Sequence, residues 1–274
     1  MNPRFLVSGA ASGLGRALHE RFGGTALTRT DDPRDLSPED RFDIILHCAI
    51  NTRDRPEGDG LYRFVNDNLL LTDRLLDLPH AVFVQVSSVD VYPKNDAEHT
   101  ETEALSLDMP GTPYGTMKLA SEALVRERAP EHVILRPTAV YGPRDERLSK
   151  LFRSVAKGRF PLFGRGDGRR HMIYVTDVVE AFLLACSEPG ARDQEMIVAG
   201  PDAVPLREML ETLASLAATP PMMSHLTFPA SGLSGAVLRA PVARVEDDLA
   251  RIRHQVPGQT VQERRLARAR LADD

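Results

Sequence analysis

A short apolar run, followed by a glycine-rich turn and a helical pattern, is the feature that most constrains the fold of this chain. Residues 4–8 read R-F-L-V-S, and residues 9–15 read G-A-A-S-G-L-G. Leu14, Leu18 and Phe22 then recur with helical spacing. An apolar run of this length is typical of a strand buried on both faces of a parallel sheet. The turn therefore joins a buried strand to a helix.

Strand-like and helix-like segments continue to alternate over about the first 200 residues. Further strands are predicted at residues 25–28, 43–48, 81–86, 133–135, 173–175 and 196–198. Helices are predicted at residues 69–78 and 206–216, and residues 119–128 are predicted to be part of a long helix. Such alternation predicts a Rossmann-type α/β fold with a doubly wound, mainly parallel sheet. The pattern weakens after residue 200, where turn-forming residues become frequent. We expect a main domain over 1–140, with 172–200 returning to it, and a small lobe from 141–171 and 201–274.

Composition excludes several classes of function. The 274 residues are 42% hydrophobic and 27% charged, with a net charge of −5, so nucleic acid is not an expected partner. No run reaches the roughly 18 apolar residues of a membrane-spanning helix, and no signal-peptide pattern is present. Cys48 and Cys186 lie in separate apolar runs, and the histidines lack metal-ligand spacing. We therefore expect a cytoplasmic protein with reduced cysteines, no membrane partner and no metal site.

The glycine turn has the context of a dinucleotide-binding turn. Gly9 permits the tight turn, Gly13 lets the backbone approach a pyrophosphate, and Gly15 allows close packing of helix on strand. The phosphates would lie at the N-terminus of the following helix. An ordinary turn is the alternative interpretation, because glycine-rich turns are common. The expected cofactor contacts in this turn are Gly9, Ser12, Gly13, Leu14 and Gly15.

The residues after the second predicted strand bear on the choice of cofactor. A carboxylate there would bond the ribose 2′-hydroxyl of NAD, whereas a cation would accept the 2′-phosphate of NADP. Arg29 comes first, and Asp31 and Asp32 follow it. Arg29 therefore slightly favours NADP over NAD, and a plain surface arginine is the alternative interpretation.

Tyr114 and Lys118 form a pair with acid–base potential. Pro113 is placed to begin a helix, so these two side chains, four residues apart, share one face. An ammonium stabilises a phenolate, which can take a proton from an alcohol as hydride leaves its carbon. Ser88 lies 26 residues before Tyr114, after the strand predicted at 81–86, and its hydroxyl can position the reacting oxygen. Asp90 is either a second acid or base, or a turn-capping group.

The ordered set of motifs resembles the extended branch of the short-chain dehydrogenase/reductase superfamily, the sugar-nucleotide epimerases and dehydratases. The resemblance covers about residues 4–200. Its segments are the glycine turn, D-I-I-L-H-C-A, an asparagine-containing helix at Asn68, S-S-V-D-V-Y, P-Y-G-T-M-K-L-A-S-E, L-R-P-T-A-V-Y-G-P and F-G-R-G-D-G-R-R-H-M-I-Y-V-T-D-V. The resemblance implies that the main domain binds NADP or NAD, that the small lobe binds the substrate, and that the protein is a homodimer.

The resemblance also implies roles for matching positions. The catalytic residues would be Ser88, Tyr114 and Lys118. Dinucleotide contacts would come from the glycine turn and from Arg29, Cys48, Ala49, Asn68, Tyr114 and Lys118. Substrate contacts would come from Asp90, Thr138 and Arg170, of which Arg170 suits a diphosphate.

Three departures from the family pattern bear on the substrate and the turn. Ser12 takes the place of the middle glycine, and Gly13 follows, which is the spacing of the single-domain branch. The family usually carries an asparagine just before V-Y-G-P, but this chain has Thr138-Ala139 there, so one substrate contact is not assigned. The Val89-Asp90 pair leaves one carboxylate where a 4,6-dehydratase carries Asp-Glu, which argues against dehydration.

Three functions are compatible with these observations. The first is an epimerase or ketoreductase that moves hydride at a carbon of a nucleotide-sugar, with a tyrosine as proton carrier. The second is an NADPH-dependent reductase or dehydrogenase of a non-nucleotide ketone or alcohol, which the short tail and Thr138 motivate. The third and most remote is a dinucleotide-binding protein without catalysis.

Overall fold

The structure is a computed structural model, and it describes residues 3–11, 13–37, 39–51, 57–95, 97–143, 146–216, 224–227 and 234–238. The chain divides into two compact units. The first comprises Met1–Thr138 and Val175–Val198, and the second comprises Ala139–Tyr174 and Ala199–Asp274. The roles expected of these units, cofactor binding and substrate binding, stay predictions at this point.

Strands and helices alternate through the first unit. Its elements are β1 (Phe5–Ser8), α1 (Gly13–Phe22), β2 (Thr25–Leu27), β3 (Phe42–His47), α2 (Gly60–Val65), α3 (Leu71–Leu76), β4 (His80–Val86), α4 (Pro113–Arg128), β5 (Glu131–Pro137), α6 (Val175–Ser187) and β9 (Gln194–Val198). The second unit contains β6 (Ala139–Tyr141), α5 (Glu146–Ala156), β7 (Phe160–Phe163), β8 (Arg169–Tyr174), β10 (Ala203–Pro205), α7 (Leu206–Leu216), β11 (Ser224–Thr227) and β12 (Ser234–Leu238).

A six-stranded sheet forms the centre of the first unit. Its order is β2-β1-β3-β4-β5-β9, and every neighbouring pair is parallel. The winding reverses at β1, because β2 lies on one side of it and β3 on the other. Sheets of this kind bind ligands beyond the carboxyl ends of their strands, at the point of reversal. The predicted doubly wound, parallel Rossmann-type sheet is confirmed.

Four helices of the first unit form two pairs, α1 with α6 and α3 with α4, that flank the sheet. Central strand residues such as Leu6, Ile45 and Phe83 are fully buried, as a sheet covered on both faces requires. Burying each such side chain contributes about 1.5–3 kcal/mol to the stability of the fold. One core cluster joins the sheet to α3 and α4 and comprises Leu6, Leu27, Phe42, Ile45, Leu75, Leu76, Phe83, Val125 and Ile134.

Two elements differ from the sequence prediction. The strand predicted at 173–175 belongs to β8 and pairs with β6 and β10 rather than with the central sheet. The helix predicted at 69–78 begins earlier, at Gly60, and passes through a π-helical turn at Asn66–Leu70. The exposed side chains of Leu61 and Tyr62 explain this difference, because they break the apolar periodicity of α2.

The second unit is built on two small sheets. Their strand orders are β10-β8-β6 and β11-β12-β7. A separate small core packs α5 and α7 together and comprises Val155, Leu162, Leu210 and Ala214. Within the part of the chain that the structure describes, no helix combines the length and apolar character needed to cross a bilayer.

Candidate active site

The glycine turn after β1 is tight and closely packed. Gly9 and Gly13 have φ values of 73° and 55°, a backbone conformation that residues other than glycine rarely adopt. A Cβ on Gly15 would lie 2.2 Å from the carbonyl oxygen of Gly9, so only glycine allows α1 to begin this close to the turn. Ser12 lies outside the described residues. Leu14 is half-buried in the first turn of α1.

This turn fits a dinucleotide. A Cβ on Gly13 would meet no described atom within 4 Å, so the space in front of the start of α1 is open there. The first backbone N–H groups of a helix lack intrahelical acceptors and bind phosphate oxygens. Gly9 also packs on the segment after β3, since a Cβ there would lie 2.9 Å from Cα of Ala49. The predicted contacts at Gly9, Gly13 and Ala49 therefore lie together.

A buried hydrogen-bond relay fixes the backbone after β3. Ser8 Oγ accepts from the backbone N–H groups of Cys48 at 3.1 Å and Ala49 at 3.2 Å. It therefore donates its own proton to Nδ1 of His47, 2.6 Å away, and Nε2 of His47 donates to Thr72 Oγ1 at 2.9 Å. Burial, together with the charge of Lys118, lowers the pKa of His47 to about 3, so its ring is neutral. The relay holds the segment that the sequence assigns to cofactor contact.

The side chain of Asn68 is turned towards the protein itself. Its Oδ1 accepts from the N–H of Asn51 at 3.0 Å, and its Nδ2 donates to the carbonyls of Asn51 and Phe64, each at 2.9 Å. Asn68 is buried within the π-helical turn. It therefore anchors the segment after β3, and we expect it to act on a cofactor through that segment.

Arg29 follows β2 by two residues and reaches the π-helical turn. Its Nη2 donates to Oδ2 of Asp67 at 3.1 Å, and its side chain is 56% exposed. The predicted cation is therefore present at the carboxyl edge of β2, with a carboxylate beside it.

The helix α4 carries the predicted acid–base pair and begins where Pro113 predicts. The side chain of Thr112 caps it by accepting from the N–H of Gly115 at 3.1 Å. A Cβ on Gly115 would lie 2.1 Å from the carbonyl oxygen of Asp90. The first turn of α4, which includes Tyr114, therefore packs directly on the turn that follows Ser88.

The ammonium of Lys118 is buried next to Tyr114. Its Nζ donates to the carbonyl of Val86 at 2.8 Å and lies 6.0 Å from the centroid of the Tyr114 ring. Burial lowers the pKa of Lys118 to about 8, and nearby Glu122 acts in the opposite direction. Lys118 thus stays mainly charged at neutral pH and places a cation within cation–π range of the phenol ring.

Ser88 and Asp90 form one turn at the end of β4. Ser88 Oγ accepts from the N–H of Asp90 at 3.1 Å and donates to its Oδ2 at 3.4 Å. Asp90 therefore has the local contacts of a turn residue, and its predicted contact with substrate stays a prediction.

The two further predicted substrate residues lie in different units. Thr138 follows β5 in the first unit, and its Oγ1 is buried without a hydrogen-bond partner among the described residues. Arg170 lies exposed on β8 in the second unit, where its Nη1 donates to the carbonyl of Arg169 at 2.9 Å. Thr138 therefore offers an unsatisfied hydroxyl at the carboxyl edge of the central sheet.

A buried charge network supports the turn of Ser88 and was not anticipated from the sequence. Glu122 and Arg136 are both buried, and Arg136 donates to the two carboxylate oxygens of Glu122 at 3.0 and 2.7 Å. Ser87 also donates to Glu122, and Arg136 donates to the hydroxyl of Tyr92 at 2.9 Å. The network therefore forms hydrogen bonds with Ser87 and Tyr92, the two ends of the segment that contains the Ser88 turn. An arginine inside the apolar run of β5 was the available signal, because a buried charge needs a partner.

Two curated proteins to which the chain is similar are named as enzymes of nucleotide-sugars. The chain is 27% identical over 183 residues to UDP-glucose 4-epimerase of Vibrio cholerae, which is 62% of this chain and 56% of that protein. It is 31% identical over 170 residues to human dTDP-D-glucose 4,6-dehydratase, which is 57% of this chain and 48% of that protein. The chain spans about half the length of these curated relatives.

The chain is also similar to a solved structure and matches the sequence pattern of a protein family. The structure of MoeE5 in complex with UDP-glucose and NAD matches with a TM-score of 0.66 and 26% identity, covering 78% of this chain and 81% of that one. The description of the NAD dependent epimerase/dehydratase family matches residues 6–200, which is more than half of the chain. The predicted family resemblance is confirmed: the chain belongs to the NAD dependent epimerase/dehydratase family.

Proposed function

We propose that this protein is a nicotinamide-dinucleotide-dependent enzyme that moves hydride at a carbon of a nucleotide-sugar, as an epimerase or a ketoreductase. The observation that carries the proposal is the buried Lys118 ammonium, held 6.0 Å from the Tyr114 ring on a helix that packs against the Ser88 turn. Family membership and the glycine turn support the cofactor, and the similarity to UDP-glucose 4-epimerase supports the substrate class.

The cofactor would be held by the glycine turn, by the segment around Cys48 and Ala49, and by Arg29. When bound, the nicotinamide ring accepts and returns the hydride. Arg29 slightly favours NADP, and NAD is the alternative. Ser8, His47 and Asn68 do not need to touch the dinucleotide, because they fix the backbone that does.

Tyr114 would carry the proton. Its phenolate takes the proton of the sugar hydroxyl as hydride leaves the same carbon, and its phenol returns a proton when hydride is restored. Lys118 stabilises the phenolate by its charge, and Ser88 donates a hydrogen bond to the reacting oxygen. Thr138, with its unpartnered hydroxyl, would bind a sugar hydroxyl, and Arg170 would bind the diphosphate.

Epimerisation or reduction is favoured over dehydration. Removal of water from a sugar needs an acid and a base besides the tyrosine, and Val89 stands where a dehydratase carries the first of two carboxylates. Asp90 is the one carboxylate in that pair, and its side chain already accepts a hydrogen bond from Ser88 within the turn.

Turnover of a panel of UDP- and dTDP-sugars tests the proposal. Purified protein is mixed with each sugar and either NAD or NADPH, and the products are identified by NMR. An epimerase gives the stereoisomer without net loss of NADPH, whereas a ketoreductase consumes NADPH with a keto-sugar substrate. Failure of every nucleotide-sugar to react, with dinucleotide bound, would refute the proposed substrate class.

A reductase or dehydrogenase of a non-nucleotide ketone or alcohol is the second candidate. It is favoured by Thr138, which stands where the family pattern usually has an asparagine, so one expected substrate contact is replaced. Thermal unfolding with UDP or dTDP separates the two candidates, because a nucleotide that binds only the folded state raises the Tm. A shift that Arg170→Ala abolishes supports the nucleotide-sugar, and no shift supports the second candidate.

We also propose that the protein is a homodimer. The α2 segment and the π-helical turn expose three large apolar side chains, Leu61, Tyr62 and Leu70. Exposed apolar residues grouped on one segment are typical of an interface. Sedimentation equilibrium would show the mass of two chains, and Tyr62→Glu would shift it towards one. A wild-type protein that sediments as a monomer at micromolar concentration would refute this proposal.

A further inference from the structure

A carboxylate lies beside the cation on which the choice of cofactor depends. We propose that Asp67 sets the preference between NAD and NADP, by holding Arg29 and offsetting its charge at the 2′ position of the adenosine ribose. The inference rests on the proposed dinucleotide-dependent function and adds a specificity-determining residue to it.

The position of Arg29 in the fold is the first step. Arg29 stands 20 residues after Gly9 and two residues after the end of β2. In dinucleotide-binding sheets, a residue about this far beyond the first glycine contacts the 2′-hydroxyl, or a cation there accepts the 2′-phosphate. Arg29 therefore provides the charge that a 2′-phosphate would use.

The second step is that Asp67 cannot easily turn away from Arg29. Its Oδ2 accepts from Nη2 of Arg29 at 3.1 Å and from Nδ2 of Asn51 at 2.9 Å. Its Oδ1 accepts from Nδ2 of Asn66 at 2.9 Å. Asn51 is itself buried and fixed through its backbone by Asn68. The carboxylate is thus held within ion-pair distance of the guanidinium.

The third step compares the neighbouring carboxylates. Asp31 accepts from the N–H and the hydroxyl of Thr28, each at 2.7 Å, and Asp32 pairs with Arg34 at 2.6 Å. Asp31 is bound within its own turn, and Asp32 also lies 3.9 Å from Nε of Arg74 on α3. The Asp67 carboxylate instead contacts Arg29, which it reaches from a different element. Asp67 is therefore a carboxylate that can offset the charge of this cation from a separate element.

The consequence for cofactor choice follows from charge. A 2′-phosphate on Arg29 would also be repelled by Asp67, since both negative groups would share one guanidinium. A 2′-hydroxyl carries no charge and meets no such repulsion. Neutralising Asp67 should therefore strengthen NADP binding relative to NAD.

Calorimetric titration of the full chain with NAD and with NADP tests the inference. Asp67→Asn removes the charge and keeps the shape of the side chain, and we expect the affinity ratio to move about tenfold towards NADP. In an Arg29→Gln protein, the Asp67→Asn substitution should change the affinity ratio less than about twofold, because the guanidinium charge that Asp67 offsets is no longer present. Asp59→Asn, which removes an exposed charge at the start of α2, is the matched control and should move the ratio less than about twofold.

Two further variants keep the inference open to refutation if Asp67→Asn unfolds. Asp67→Ser should shift the ratio in the same direction, and Asp67→Glu should leave it near that of the wild type. A ratio that neither neutral variant moves, or that moves equally without Arg29, overturns the inference while both dinucleotides still bind. A wild-type protein that binds neither dinucleotide overturns the proposed function itself, and this inference with it.

Discussion

Gly115 packs so closely on Asp90 that a Cβ on residue 115 would lie 2.1 Å from the carbonyl oxygen of residue 90. This contact joins the helix that carries Tyr114 and Lys118 to the turn that carries Ser88. The three residues assigned to chemistry come from two separate segments of the chain, so the quality of this contact decides whether they can act together.

Gly115→Ala tests that contact. The added methyl must push α4 away from the turn, and overpacking of this kind costs about 1–3 kcal/mol in stability. We expect turnover to fall at least about tenfold, because small displacements of catalytic groups are costly. Gly190→Ala, where a Cβ would meet nothing within 4 Å, is the control. Helix propensity alone favours alanine by about 1 kcal/mol, so a more stable and fully active Gly115→Ala protein would refute the account.

The buried ammonium of Lys118 predicts a pH dependence of stability. Its pKa is about 8 in the folded protein and 10.5 in the unfolded chain, so the unfolded chain binds more protons between these values. The stability of the wild type should therefore rise with pH through this window, relative to Lys118→Met, by about 2–3 kcal/mol. Chemical denaturation of both proteins at pH 7.5 and at about pH 10 measures the difference. A constant difference would show that Lys118 is not buried as a cation.

His47 predicts a pH dependence of stability of the same sign, but in the acid range. Its pKa is about 3 in the folded protein and 6.5 when unfolded, so protons favour the unfolded chain below pH 6.5. Its contribution to stability is complete above pH 6.5 and is lost as the pH falls. Between pH 6.5 and about 4.5, the wild type should lose about 2 kcal/mol more than His47→Gln. Equal losses in urea denaturation at the two pH values would argue against a neutral, buried His47.

Removing only one partner of the buried Glu122–Arg136 pair should lower the free energy of unfolding strongly. Arg136→Met leaves the buried Glu122 without its main partner, and we expect a loss of about 3–5 kcal/mol in the free energy of unfolding. Combining it with Glu122→Gln should recover part of that loss, because no buried charge is left unpaired. Denaturant unfolding of the two single variants and the double variant measures the coupling. Additive losses would show that the two side chains act independently.

Much of the central fold could be predicted from the sequence because its signals are local. The apolar run before Gly9 and the helical spacing after it specify β1 and α1 without reference to the rest of the chain. Pro113 similarly specifies the start of α4. The helix α2 could not be predicted in this way, since it leaves Leu61 and Tyr62 exposed and has no apolar stripe to detect.

The helix face shared by Tyr114 and Lys118 could be predicted from the sequence, whereas the hydrogen-bond and ion-pair partners of the candidate site residues could not. The spacing of Tyr114 and Lys118 placed them on one helix face, as the structure has them. The pairing of Arg29 with Asp67 and of Glu122 with Arg136 joins segments far apart in the chain, which no local pattern encodes. The anchoring role of Asn68 has the same origin, because it depends on where the segment after β3 lies.

The most direct test of the central claim is the rate of nucleotide-sugar turnover by Tyr114→Phe relative to the wild type, at saturating dinucleotide and equal substrate. Phenylalanine keeps the ring beside Lys118 and removes only the hydroxyl that we propose carries the proton. The account predicts that the wild type converts at least one UDP- or dTDP-sugar and that the variant is slower by about 100-fold or more. Equal rates for the two proteins would contradict it.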